Sequence, residues 1–273
     1  IGVMSQPEDI CLLRHDGSGK NAFKNPLSFR YLDDNFIESD AVKIGKTFMD
    51  YLKKTKDPRI HVYCSLKDGN TEFDKQFGLP NGYDSHTIAD APSGSFVGLE
   101  NTSNFNINTI LRLDAPTIFL MPSETKLLLA EAVLRNWTNG NAEVLYKEAI
   151  TSSMKEQEIA YGTQGKITDE EIETYLAQNL LSTANNTEKL QIIGEQYWVA
   201  TFINGYESYA NWRRTGYPKL IPTNYSGSMS PGVIPTRLPY PTDEYSINRA
   251  NVDTANQQQG ADKVTTHIWW DID

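Results

Sequence analysis

Asn211-Trp212-Arg213-Arg214-Thr215-Gly216-Tyr217-Pro218 closes a long helical pattern, and its reading decides the fold. Gly216 stands where a helix needs a left-handed residue just past its end. Pro218 prevents continuation, and Arg213 and Arg214 sit where cations complement the negative helix end. Upstream of this stop, Leu190, Ile193, Tyr197, Ala200, Thr201 and Asn204 trace one face, flanked by Trp198 and Phe202. That spacing predicts the longest helix, from about Glu188 to Arg214. Gly205 within it is expected to bend the helix or to admit close packing. Downstream come Arg237-Leu238-Pro239-Tyr240-Pro241-Thr242-Asp243-Glu244-Tyr245 and the closing Thr265-Thr266-His267-Ile268-Trp269-Trp270-Asp271. Residues 215–241 are rich in proline and read as loop, and a last helix starts near Thr242 and ends near Gly260.

The helical pattern extends toward the N-terminus. Leu127, Ala130, Leu134 and Trp137 form one stripe, widened by Leu128 and Val133, and predict a helix from Pro122 to Trp137. Thr138-Asn139-Gly140-Asn141 breaks it, and a second helix follows from Ala142 to about Ile159 with Asn141 as N-cap. The two form an αα-hairpin. Ala142, Tyr146, Ala149 and Ile150 within it resemble half of a tetratricopeptide repeat. Thr168-Asp169-Glu170-Glu171 is a capping box that opens a short helix to about Asn179. Val42, Phe48, Met49 and Leu52 predict a helix from Ser39 to about Thr55, ended by Asp57-Pro58. Ile10–Leu13 is a short strand candidate, and residues 65–116 read as loop. Such a long irregular stretch is usually functional or disordered in a compact domain, and its aromatic content argues against disorder.

Composition bounds the function. The chain has 273 residues, 39% hydrophobic and 22% charged, as in an ordinary globular protein. Net charge is −10 and no dense basic run occurs, which argues against nucleic acid as a partner. No apolar run is long enough to span a bilayer. The start has no charged region followed by an apolar one, and beginning on Ile1 suggests that something upstream has been removed. Fourteen Tyr, 10 Phe and 5 Trp suit a large core and also a surface that stacks on ring-shaped ligands.

Catalytic chemistry does not declare itself. Cys11-x3-His15 and His61-x2-Cys64 have ligand-like spacing and would make a zinc site only if the two segments met. The expected alternative is a packed thiol and solvated imidazoles, with no metal and no cofactor. Asp33-Asp34, Glu170-Glu171 and Asp243-Glu244 are adjacent carboxylates whose side chains diverge, whereas glycoside hydrolysis needs two flanking one bond. The latter two pairs suit helix N-termini. No nucleophile elbow, phosphate loop or dinucleotide fingerprint occurs.

Tyr197-Trp198-Val199-Ala200, Asn204-Gly205-Tyr206-Glu207 and the stretch from Asn211 to Pro218 resemble the long helix of the SusD/RagB family. Arg237 through Pro241, Glu244, Asn248, Asn251 and Trp269-Trp270-Asp271 agree with it, as do Ala130-Glu131-Ala132 and Asp57-Pro58-Arg59 upstream. The resemblance covers nearly the whole chain from about Glu8. It implies a mainly α fold with tetratricopeptide-like helix pairs and long irregular loops. It also implies a surface-exposed outer-membrane lipoprotein of Bacteroidetes that caps a SusC-like TonB-dependent transporter. Such a protein binds oligosaccharides or similar nutrients without cleaving them. Family members are longer, so residues 1–273 correspond to a C-terminal portion, and the lipid anchor is expected in an N-terminal part.

Ligand contacts are poorly shared in that family. Candidate ligand-binding residues therefore come from aromatic character and loop position: Phe23, Tyr31, Phe36, Phe73, Phe77 and Tyr83. Sugar rings would rest on them while hydroxyls pair with Asn, Asp and Arg. The alternatives are a helical scaffold that binds only protein, or a peptide or other non-sugar cargo. Arg213 and Arg214 beside Trp212 look like a ligand site, but at a helix end they are expected to form a cap and core joint.

Overall fold

The computed structural model describes residues 2–33, 43–83, 86–181, 185–224 and 227–271. Two compact units emerge, one of residues 1–81 and 88–219, the other of residues 82–87 and 220–273.

The first unit is helical. It contains α1 (Pro26–Asp33), α2 (Lys46–Thr55), α3 (Ile60–Tyr63), α4 (Pro122–Leu134), α5 (Ala142–Tyr161), α6 (Asp169–Gln178), α7 (Asn186–Ala200) and α8 (Gly205–Thr215). Two small antiparallel ladders stitch its loops. β1 (Cys11–Leu13) pairs with β4 (Thr117–Leu120), and β2 (Cys64–Ser65) pairs with β3 (Asn104–Phe105).

Local sequence explains most helix ends. The Asn141 side chain accepts from the Val144 N–H at the start of α5. Thr168 and Glu171 exchange both bonds of a capping box at α6. At the end of α8, Gly216 has φ +69°, the left-handed conformation the chain needs there.

α4 and α5 pack as the predicted hairpin, with α7 against α4. Leu127 and Ala130 of α4, Tyr146, Ile150 and Met154 of α5 and Ile193 of α7 are buried between them. Each large apolar side chain removed from water contributes roughly 1.5–3 kcal/mol before entropy is counted. A second focus is aromatic. Phe48 of α2 stacks on Phe202 at 4.3 Å and meets the edge of Trp198 at 4.9 Å. Trp198 is thus half-buried against the core, while Trp212 stacks beside Tyr209 on α8.

Two sequence expectations change in this unit. The single helix from Glu188 to Arg214 is two helices. The Thr201 hydroxyl bonds back to the Tyr197 carbonyl, and the Asn204 side chain caps the new start at Glu207. Asn204-Gly205 is therefore a stop and restart rather than a bend. The helix expected from Ser39 begins only at Lys46. Gly45 is extended and bridges to Leu79, and the part before residue 43 lies outside the described residues. Residues 65–116 are largely irregular, as expected, broken only by short turns and the β2–β3 ladder, and they bury polar groups as well as Ile110 and Leu111. Gln76, Ser103, Asn104 and Thr109 are all buried, and the Ser103 hydroxyl donates to the Gln76 amide oxygen at 2.8 Å.

In the second unit the helix expected from Thr242 to Gly260 is interrupted at Asn248, giving α9 (Thr242–Ile247) and α10 (Arg249–Gln259). Asp262 is its hub. It accepts from Arg237 Nη2 at 2.9 Å, from the Tyr240 N–H at 3.0 Å and from the Tyr245 hydroxyl at 2.7 Å. Trp269 and Trp270 lie near the end of this unit's chain. Both are exposed, because they occupy a turn and not an extended strand.

Candidate functional site

The end of α2 leads into the site. Lys56 takes a left-handed conformation that turns the chain into Asp57-Pro58-Arg59. Asp57 and Arg59 are wholly buried. Arg59 Nε and Nη2 donate to the two Asp57 carboxylate oxygens, at 2.9 and 2.5 Å. The same guanidinium donates to the Ser153 hydroxyl at 3.0 Å and to the Gln196 amide oxygen at 2.8 Å. Burial works against the Arg59 charge, but Asp57 outweighs it and holds the guanidinium pKa above its ordinary value. Gln196 then donates from Nε2 to the Tyr175 hydroxyl at 2.7 Å. This chain of bonds sets the position of Tyr175 on α6.

Phe73, in the short turn Phe73–Lys75, lines the same groove as Tyr175. Buried Gln76 holds that turn, donating from its amide to the carbonyls of Asn70 and Glu72. Between the turn, α3 and α6 lies a groove of about 500 Å³. Pro58, Ile60, Phe73 and Tyr175 form its apolar part. Lys56, His61, Thr71, Glu170, Glu171, Thr174 and Gln178 supply the polar rim. Glu171 stays anionic. Burial opposes this, but hydrogen bonds from Thr168 outweigh it and lower the pKa. His61 Nε2–H donates to the Lys166 carbonyl at 3.3 Å. A polar rim around an apolar floor of this size can hold a ring with one hydrophobic face and hydroxyls at its edge.

Of the five candidate aromatics among the described residues, only Phe73 lines this groove. Tyr31 is a correction. It is 4% exposed and packs edge-on against Phe105 at 5.7 Å, because α1 turns it into the core. Phe23 is 58% exposed in a separate turn. Phe77 is exposed beneath the Lys53 ammonium, 4.1 Å from its ring centre. Tyr83 is half-buried in the second unit. Phe36 lies outside the described residues. Tyr175 and Gln178 carried no sequence signal beyond helix periodicity, and His61 stood out only for its zinc-like spacing to Cys64. Glu170 and Glu171 were legible as helix-cap acids, and they keep that role while facing the groove.

The residues once considered for zinc sit apart in character. Cys64 is buried, with its thiol pKa pushed up by burial, whereas Cys11 is exposed on β1. His15 bonds the Thr117 hydroxyl at 2.9 Å. Among the described residues no three His, Cys, Asp or Glu side chains are grouped to hold a metal.

Arg213 and Arg214 end α8, and Arg214 makes a specific joint. It grips Glu131 of α4 with both terminal nitrogens, at 2.8 and 2.7 Å, and also reaches Asn211. Glu131 also accepts from Arg135 at 2.7 Å. Burial alone would raise the Glu131 pKa, but the two arginines lower it.

Comparison with known proteins fits this architecture. A SusD-like family model described as "Starch-binding associating with outer membrane" matches residues 1–241. A chitin-binding protein of solved structure is 29% identical, with a TM-score of 0.79 over 100% of this chain and 57% of its own. A Bacteroidetes SusD-like structure is 23% identical, with a TM-score of 0.80 over 100% of this chain and 63% of its own. A chitin-binding SusD homolog from Flavobacterium johnsoniae is 24% identical, with a TM-score of 0.74 over 100% of this chain and 56% of its own. The chain thus spans less than two thirds of the length of these three structures. No curated protein matches it. With its helical fold and a family match over most of its length, the chain belongs to the SusD-like family.

Proposed function

We propose that this protein binds an oligosaccharide in the groove beside Phe73 and passes it, uncleaved, to a SusC-like TonB-dependent transporter. The observation that carries this reading is the placement of Phe73 over an apolar floor with hydrogen-bonding groups around the rim. A pyranose ring has one apolar C–H face that rests on Phe73, while its hydroxyls meet Thr71, Thr174 and Gln178. The groove volume of about 500 Å³ lies in the range typical of small-molecule sites. Two of the similar structures are named as chitin-binding, so N-acetylglucosamine oligosaccharides are the first ligands to try. The Gln178 amide suits an acetamido group.

Binding without turnover is the reading of the carboxylates. Glu170 and Glu171 are adjacent, and Glu171 is committed to the α6 capping box. A hydrolytic pair would instead flank one bond from two sides. The protein is placed at the outer-membrane surface, as part of a longer SusD-like lipoprotein whose anchor lies N-terminal to these residues. The family description supports the membrane association.

Calorimetry against chitin-, starch- and pectin-derived oligosaccharides tests the proposal. Reversible binding of one class, weakened by Phe73→Ala, is expected. Release of shorter sugars by the protein alone, or binding indifferent to Phe73, would overturn it.

A further inference from the structure

α8 is inverted relative to an ordinary surface helix. Its hydrogen-bonding side chains turn inward. Glu207 accepts from the Tyr197 hydroxyl at 2.6 Å, the Ser208 hydroxyl donates to the Thr201 carbonyl at 3.0 Å, and buried Asn211 accepts from Arg214 at 2.7 Å. Its aromatic side chains turn out: Tyr206 is 93% exposed and Tyr209 39%. A surface helix normally buries its apolar stripe and shows its polar one. Packing therefore does not account for Tyr206. We propose that the outward face of α8 binds an acidic polysaccharide, at a site separate from the Phe73 groove and independent of its reading.

The face is preformed for sugar rings. Tyr206, Tyr209, Ala210 and Arg213 fall at i, i+3, i+4 and i+7, so they share one side of the helix. The Tyr209 and Trp212 rings lie within 17° of parallel with centroids 6.1 Å apart, and the Arg213 guanidinium sits 5.6 Å over the Tyr209 ring. Stacking and cation–π attraction hold these rings before a ligand arrives. The open Tyr206 ring, one turn earlier, gives the C–H face of a sugar a surface to rest on. None of these positions carries a large aliphatic side chain, so the face suits hydrated rings better than lipid tails. From Tyr206 to Thr215 the helix rises about 14 Å, at roughly 1.5 Å per residue, which is longer than one ring and favours a polymer.

Charge decides which polymer. Arg213 and Arg214 end α8, and exposed Lys219 places Nζ beside Gly216, 4.6 Å from the Tyr217 ring centre. Arg135 joins this group through Glu131, which it shares with Arg214. The carboxylates it touches are committed, Glu131 to those two arginines and Glu207 to Tyr197. Against a net charge of −10 for the chain, this end of α8 is locally basic and draws an anionic ligand. A uronic acid chain supplies both parts, C–H faces for the tyrosines and carboxylates for Lys219 and Arg214.

Affinity electrophoresis through gels containing alginate, a polymer of uronic acids, tests this, with soluble starch as the neutral control. Alginate is expected to retard the wild-type protein. Tyr206→Ala, at an almost wholly exposed position, should weaken the interaction about fivefold, the worth of one stacked aromatic, with an unchanged melting temperature. Adding Tyr209→Ala should weaken it further. Lys219→Gln should weaken it and flatten its dependence on salt. Phe73→Ala should leave it unchanged, so failure here and failure of the groove reading are told apart. No retardation by alginate overturns the proposal. So does a loss at Lys219→Gln with none in the tyrosine variants, which would be simple ion exchange. Equal retardation by starch through the same tyrosines would overturn the assignment to acidic chains. Indifference to alginate with Tyr206-dependent sedimentation on phosphatidylglycerol vesicles would overturn it in favour of a membrane surface.

Discussion

Glu131 of α4 and Arg214 of α8 are joined by two parallel hydrogen bonds, Nη1 to Oε1 at 2.8 Å and Nη2 to Oε2 at 2.7 Å. The Glu131 side chain is 6% exposed and that of Arg214 43%, so this pair lies between the surface and buried limits. Exposed pairs contribute little, whereas removing one partner of a buried pair is strongly destabilising. Arg214→Ala leaves Glu131 buried with Arg135 alone. It is expected to lower unfolding free energy by about 2 kcal/mol, read from urea denaturation. A double-mutant cycle with Glu131→Gln should show coupling between the two positions.

Asp57 and Arg59 make a tighter case. Both side chains are essentially inaccessible to solvent, and Arg59 also ties Ser153 and Gln196 together. Asp57→Ala would leave an uncompensated buried cation and is expected to cost about 3–5 kcal/mol. Arg59→Lys keeps the charge but loses the planar fork, so it should also destabilise. Thermal melts of the two variants check this. Because Gln196 positions Tyr175, a folded Arg59→Lys protein should also bind glycan more weakly.

Glu124 carries a pH dependence. Burial, followed by the nearby Glu207 and Glu156, raises its pKa from 4.5 to about 8. Between those values the folded protein holds a proton that the unfolded chain has released. Stability is therefore highest below the unfolded pKa and is lost as pH rises toward 8. Glu124→Gln keeps the neutral shape and removes this loss. It is expected to match wild type near pH 4.5 and to exceed it near pH 8 by on the order of 4 kcal/mol. Denaturant titrations at the two pH values decide it. Equal differences at both would show that Glu124 is not the titrating group.

The groove separates the candidate aromatics. Phe73→Ala is expected to weaken oligosaccharide binding about tenfold, within the range that stacking on one aromatic supplies. Phe23→Ala should leave affinity within about twofold, since that ring lies in a separate turn. Calorimetry on the three proteins measures the contrast. A larger loss at Phe23 would move the binding face away from α6.

The legible parts of the fold are those whose physics is local. Asn141, the Thr168–Glu171 box and Gly216 each satisfy backbone groups a few residues away, so their residue types announce the helix ends. The α4–α5 hairpin follows from apolar spacing and the Asn-Gly break between its helices. Less legible was the stop at Thr201–Asn204, because helical periodicity runs unbroken across it. Thr201 and Asn204 decide the matter through hydrogen bonds that compete with helix continuation. Residues 65–116 are largely irregular, as read from the sequence, but which of their groups are buried was not legible, since polar ones such as Ser103 and Gln76 satisfy each other across the stretch.

The sequence by itself determined the helical class, the hairpin, several helix ends and the family resemblance, since these depend on spacing within a few turns and on short motifs. Only the tertiary structure decided that Ala130-Glu131-Ala132 and the Arg213-Arg214 end of α8 meet as an ion pair. It alone sent Tyr31 to the core and Phe73 to a groove. Those outcomes rest on contacts between segments far apart in the chain, such as Glu131 with Arg214 and Arg59 with Gln196. Side-chain type says what a residue can do, but which solvent and which neighbours it meets is set by packing.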